Sequence, residues 1–161
     1  MSKSGNCSLC WWLLAIVVIL AAVAGYRLIM GGHTHPSSDG RAEIALAPAD
    51  RDLVLAEMRG FLSAVQGITA AVSRDDLAAA AGHARGMGLA AVGQIPVSLM
   101  QALPLEFKQL GNSVHADLDQ LALDAEQLGD RDHTLRQLGD ILNKCVACHA
   151  AYRLSPTGAG H

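Results

Sequence analysis

Near the end of the chain, residues 144–153 read KCVACHAAYR, with Cys145, Cys148 and His149 at positions i, i+3 and i+4. On a helix those offsets bring all three side chains to one face. Two thiols and an imidazole so arranged admit three chemistries. A thioredoxin-like redox pair wants its first cysteine at a helix N-terminus behind a strand, where the macrodipole lowers the thiol pKa. Here the pair falls several turns into an expected helix, and no strand is expected anywhere. Zinc wants a fourth ligand, usually from a second clustered pair. The only other pair, Cys7 and Cys10, lies beyond a long apolar segment. Covalent haem attachment uses C-x-x-C-H: both sulfurs add to the porphyrin vinyl groups and the following imidazole reaches the iron. Because one rigid macrocycle must meet all three groups, this spacing is restrictive. The expectation is one covalent haem c on Cys145 and Cys148, with His149 as proximal iron ligand; the redox pair and zinc stand as the alternatives.

Four helices are expected to position these residues. The first opens with Asp50 as N-cap and carries Leu55, Met58, Phe61, Leu62, Val65, Ile68 and Val72 at steps of three and four. Ser73 and Asp76 suggest a new cap, with a second, small-residue helix from about Arg74 to Gly93. Pro104 suits the first turn of a third helix, whose stripe runs through Phe107, Leu110, Val114, Leu118, Leu121, Ala125 and Leu128. Gly129 ends it, and Asp130 caps a fourth helix through Leu135, Leu138, Leu142, Cys145, His149 and Tyr152. Amphipathic helices joined mostly by short connections read as an all-α, antiparallel four-helix bundle.

Before the bundle, residues 11–30 (WWLLAIVVILAAVAGYRLIM) contain Arg27 as their only charge and can span a ~30 Å hydrocarbon core. Trp11, Trp12 and Tyr26 stand where interfacial aromatics belong. An uncleaved transmembrane anchor is the expectation. A signal segment with Lys3 in its n-region and a cleavage site at Ala22–Ala24 is the alternative. Either one exports the chain beyond residue 30. Cys7 and Cys10, in a tail over residues 1–10, read as interfacial cysteines without a cofactor. Residues 31–49, rich in Gly, Pro, Ser and His, read as a flexible linker in which His33 and His35 are solvated. Residues 155–161 read as a C-terminal tail.

The bulk numbers agree with a helical domain that fills its core unusually. Only 4% of residues are aromatic, so a bundle short of large side chains needs something else inside, and a cofactor would serve. A net charge of −3 gives no reason to expect nucleic acid. No paired carboxylates, nucleophile–base arrangement or phosphate loop suggests an enzyme.

Over residues 50–154 the chain resembles the class II c-type cytochromes, meaning cytochrome c′ and its low-spin, Met-ligated relatives. The carriers are LPLEFKQLG at 103–111, LAEMRGFL at 55–62 and CVACHAAYR at 145–153. The resemblance implies a haem-bearing last helix and a distal residue early in the first helix, which is Met58. Periodicity alone would make Met58 apolar filling. The resemblance makes it the distal iron ligand of an electron carrier that serves redox partner proteins. In the alternative, also from the family, five-coordinate iron binds nitric oxide or carbon monoxide. Arg153 matches the family's CH..YR pattern and is expected beside the proximal imidazole or a haem propionate. Family members carry an arginine four residues before the distal residue; Val54 stands there, leaving Arg51 and Arg59 as substitutes. His83 and His115 are minor candidates for the sixth ligand. The carboxylates Asp117, Asp119, Asp124, Glu126, Asp130 and Asp132 form a solvated or partner-steering face. A homodimer through the first two helices and a bacterial periplasmic location, membrane-anchored or else soluble after signal cleavage, complete the expectation.

Overall fold

The structure, a computed structural model, describes residues 8–157. Cys7 and most of the N-terminal tail lie outside the described residues, as do residues 158–161. The elements run α1 (Ser8–Met30), β1 (His35–Pro36), β2 (Ala42–Leu46), α2 (Pro48–Val72), α3 (Leu77–Arg85), α4 (Val97–Ala102), α5 (Leu105–Leu128), α6 (Arg131–Ala151) and β3 (Tyr152–Pro156). The chain is mostly helical, and α1 contains a stretch, Leu9–Arg27, long and apolar enough to cross a membrane. None of that stretch is buried against the rest of the protein.

Local chemistry sets the helix ends. The Asp76 side chain accepts from Ala79 N at 2.9 Å and starts α3, while Asp130 accepts from His133 N at 2.9 Å and starts α6. Gly129 adopts φ +60° and ends α5, a conformation glycine enters without a Cβ penalty. Two boundaries differ from expectation. Helix α2 begins at Pro48, favoured at a first turn, so Asp50 lies inside it, buried, where it accepts from Ser98 Oγ at 3.1 Å. Helix α3 ends at Arg85 rather than near Gly93, because Gly88 lets Asp119 of α5 close on the backbone and accept from Leu89 N at 2.9 Å. A Cβ at Gly88 would strike that carboxylate.

One core joins α2, α3, α5 and α6, centred on Ile68, Ala81, Leu118, Leu121 and Ile141. A second core corrects the expectation of a flexible linker and of a strand-free chain. Strand β2 pairs antiparallel with β1 and parallel with β3, with Ile44 opposite Leu154. Ile44 and Leu46 are fully buried against Val54, Leu99 and Leu103. The short run EIAL buries enough apolar surface to order the segment before α2, and Ser155 and Pro156 belong to its partner strand rather than to a tail.

Where α1 ends, Gly31 (φ +68°) forms a bridge with Pro104, and Gly32 N donates to Leu103 O at 3.2 Å. A side chain on either glycine would collide with the backbone of Ala102 or Leu103. The apolar helix is thus joined directly to the start of α5.

Candidate functional site

Along α6 the buried line is Thr134, Leu138 and Ile141, with Cys145 packed against it. Leu135 and Leu142, expected on that line, are 43% and 39% exposed, because α6 turns its 134/138/141 face inward. This rotation moves Leu142, Cys148 and His149 out of the core and onto the wall of a groove between α2, α5 and α6. Glu57, Met58, Phe61 and Val65 line it from α2; Phe107, Leu110, Val114 and His115 from α5; Leu142, Cys145, Cys148 and His149 from α6. The lining is almost wholly apolar. The groove holds about 870 Å³ of atom-free space continuous with solvent, and the centre of a water molecule can roam about 200 Å³ of it.

The motif residues differ in exposure. Both thiols are half-buried and free, and His149 is exposed at the lip. Burial pushes the Cys145 and Cys148 thiols above the usual cysteine range, with a smaller push on Cys148 from Cys145 itself. A reactive redox pair needs the opposite displacement. Among the described residues, no three His, Cys, Asp or Glu side chains gather as a metal site. Haem iron does not need one, since the porphyrin supplies four of its ligands.

The chain matches no family model, no curated protein and no solved structure.

Met58 is half-buried and belongs to the groove, while its other side packs against the second core. Val54 lies in that second core with Ile44 and Leu46. Arg51 retains a buried Nε without a hydrogen-bond partner. It lies seven residues before Met58, hence on the same helix face.

Arg153 is corrected. Helix α6 stops at Ala151, and Tyr152 turns to φ −123°, ψ 151°, so Arg153 sits on β3 rather than one turn beyond His149. It does not line the groove. Its Nε lies 3.3 Å from Glu43, whose carboxylate also accepts from Ser155 Oγ at 2.8 Å. The arginine near His149 is instead Arg41, whose Nη1 donates to His149 O at 3.3 Å and Tyr152 O at 3.4 Å, satisfying carbonyls at the helix end. Asp39 holds Arg41 in place. The signal for this contact was the apolar run EIAL between Gly40 and Pro48.

His115 lines the groove and is buried, but both its nitrogens are engaged. Nδ1 is 2.8 Å from Met87 O and Nε2 is 3.2 Å from Glu57 Oε1. Both partners are acceptors, so the ring serves as a double donor and presents no lone pair to a metal. Glu57, more than any other neighbour, holds His115 above the usual histidine range against the opposing effect of burial. His83 is exposed and contributes nothing to the groove. Most of the carboxylates of α5 and its end are engaged within the chain: Asp117 with Lys144, Glu126 with Arg85, Asp124 with His133, and Asp119 and Asp130 with backbone amides.

Proposed function

We propose that α2, α3, α5 and α6 form an antiparallel four-helix domain carrying one covalent haem c, and that the protein is a monohaem electron carrier with a His/Met-ligated iron. One observation carries this reading: Met58 of α2 lines the same apolar groove as Cys145, Cys148 and His149 of α6. A thioether from a separate helix is thereby brought to the one motif whose spacing asks for a porphyrin.

The residues fit that group. Cys145 and Cys148 would hold it by thioether bonds, and His149 and Met58 would ligate its iron. Arg51, with its unpartnered buried Nε, would meet a propionate. Phe61, Val65, Leu110 and Val114 would exclude water from the faces of the macrocycle. Bound there, haem would supply a one-electron Fe(III)/Fe(II) couple, whose potential imidazole–thioether ligation would raise. His115 does not compete for the metal, because Glu57 and Met87 O engage its nitrogens. This reading assigns no catalytic residue and makes the partners larger redox proteins. With α1 as an uncleaved anchor, the domain would sit on the periplasmic face of a bacterial inner membrane; cleavage at Ala24 would release it as a soluble protein.

A second reading has its own support. Met58 also packs toward Val54 in the second core. If it stays there, iron is five-coordinate and the groove takes nitric oxide or carbon monoxide. Spectra of the reduced protein with and without carbon monoxide separate the two. An unchanged low-spin Soret band supports the carrier, whereas a large Soret change supports the gas-binding protein. Haem that leaves in acid–acetone, with both thiols alkylatable, would falsify covalent attachment and both readings together.

A further inference from the structure

Between Arg85 and Glu106 the chain runs for twenty residues, GMGLAAVGQIPVSLMQALPL, without one ionisable side chain. This segment comprises α4 and its approach; Leu99 and Leu103 belong to the second core, but other apolar residues of it face outward. Leu89, Ile95 and Val97 are 44%, 44% and 64% exposed. Exposed apolar side chains with no charge among them are unusual on a surface that meets only water.

Its position explains the composition. The end of α1 comes close to α4, and Gly31 and Gly32, directly after α1, bond to the backbone of Pro104 and Leu103. Gly31 follows Arg27 by four residues, so the junction stands ~6 Å along the axis beyond the last charge of the apolar stretch. The headgroup layer on each side of a bilayer is roughly 5–8 Å deep. The end of α4 therefore docks at headgroup depth if α1 spans.

We propose that segment 95–105 rests in the phospholipid surface that α1 crosses, with Ile95 and Val97 in contact with lipid. The domain is then seated on the bilayer through two contacts rather than swinging from one. This inference rests on the anchor reading of α1 but not on haem.

The test places a photo-crosslinking benzoylphenylalanine at Val97, at Leu14 within α1, or at Leu128 in the full chain, reconstituted in phosphatidylcholine–phosphatidylglycerol vesicles. Leu128 is 60% exposed and closes the 24-residue α5, ~35 Å from its start. After irradiation, mass spectrometry counts phospholipid adducts. The expected result is adducts from Leu14 and Val97, with at least tenfold fewer from Leu128. Adducts from Leu14 without any from Val97 overturn the seating and leave the anchor standing. Equal yields at Val97 and Leu128 overturn it as well. No adduct from Leu14 removes the anchor, and the seating with it.

Discussion

The two ends of the helical assembly are packed on opposite principles. At the α3 end, Ala80, Ala81 and Ala84 are fully buried against Ile68, Ala71 and Val72 of α2 and Leu121, Ala122 and Ala125 of α5. Small side chains let the three backbones close up without a void. At the groove end the side chains are larger, yet the helices stay apart, and Leu62 is left 71% exposed. Helix α3 accounts for the difference, because its nine residues stop before the Met58–Val65 stretch of α2 and add nothing to the groove. One end is built for stability and the other for room.

Removing the groove's means of holding an occupant should break the comparison most completely. In Cys145→Ser/Cys148→Ser, no haem should survive acid–acetone extraction. Hydrogen exchange should quicken in the last turns of α6 while amides around Ala81 and Leu121 keep their protection. If protection falls equally at both ends, the assembly is a single cooperative unit and the contrast is wrong. Truncations sharpen the same point. Leu121→Ala, at a site with no exposure, should cost about 2–5 kcal/mol in urea denaturation of haem-free protein. Leu62→Ala should change stability by about 0.5 kcal/mol or less. Comparable losses would mean that the groove is as tightly packed as the core.

How far sequence alone could reach follows the same division. The stop of α5 and the start of α6 were legible because Gly129 and Asp130 act locally, through one backbone conformation and one side-chain cap. Cys145, Cys148 and His149 were legible as a unit because their spacing is itself the geometry; Met58 lines the same groove. What could not be read depends on distant partners. Strand β2 exists because Ile44 and Leu46 find Val54 and Leu103, and β3 exists because β2 lies beside it. Without that sheet in view, Tyr152 and Arg153 extend the helix by period. The short α3 was equally hidden, since its end is set by the approach of Asp119 to Gly88 rather than by a breaker that differs from Gly82 or Gly86.

The sheet that takes Arg153 away from the helix should also have a measurable share in the groove end. Glu43 is buried and receives both Ser155 Oγ and Arg153 Nε. Glu43→Ala leaves the Ser155 hydroxyl buried and unpaired, at a cost of about 1–3 kcal/mol. The loss should reach Tyr152 and the end of α6 first, through Arg41. Exchange of the His149 and Ala150 amides should therefore rise more than that of Leu118. A uniform rise would show the sheet to be an appendage with no grip on the motif.

The smallest effect concerns the wall between the two ends, where His115 meets Glu57. The folded-state pKa of His115 lies above its unfolded value of 6.5, chiefly because the Glu57 carboxylate accepts its proton-bearing Nε2. A raised pKa means that the folded state holds the proton more tightly. The stabilisation is therefore fully present below pH 6.5 and fades as pH climbs through the folded value. Because the Glu57 side chain is 39% exposed, solvent screens the pair and keeps the effect modest. Urea midpoints measured from pH 5.5 to 9 should drop across that window, and in His115→Phe the drop should flatten. Phe61, whose ring centre lies 4.8 Å from that of His115, should pack against the replacement ring. A wild-type midpoint that rises with pH would mean that burial outweighs Glu57 and that the ring is neutral in the fold. The groove wall would then present a free lone pair, and His115 would return as a rival to Met58.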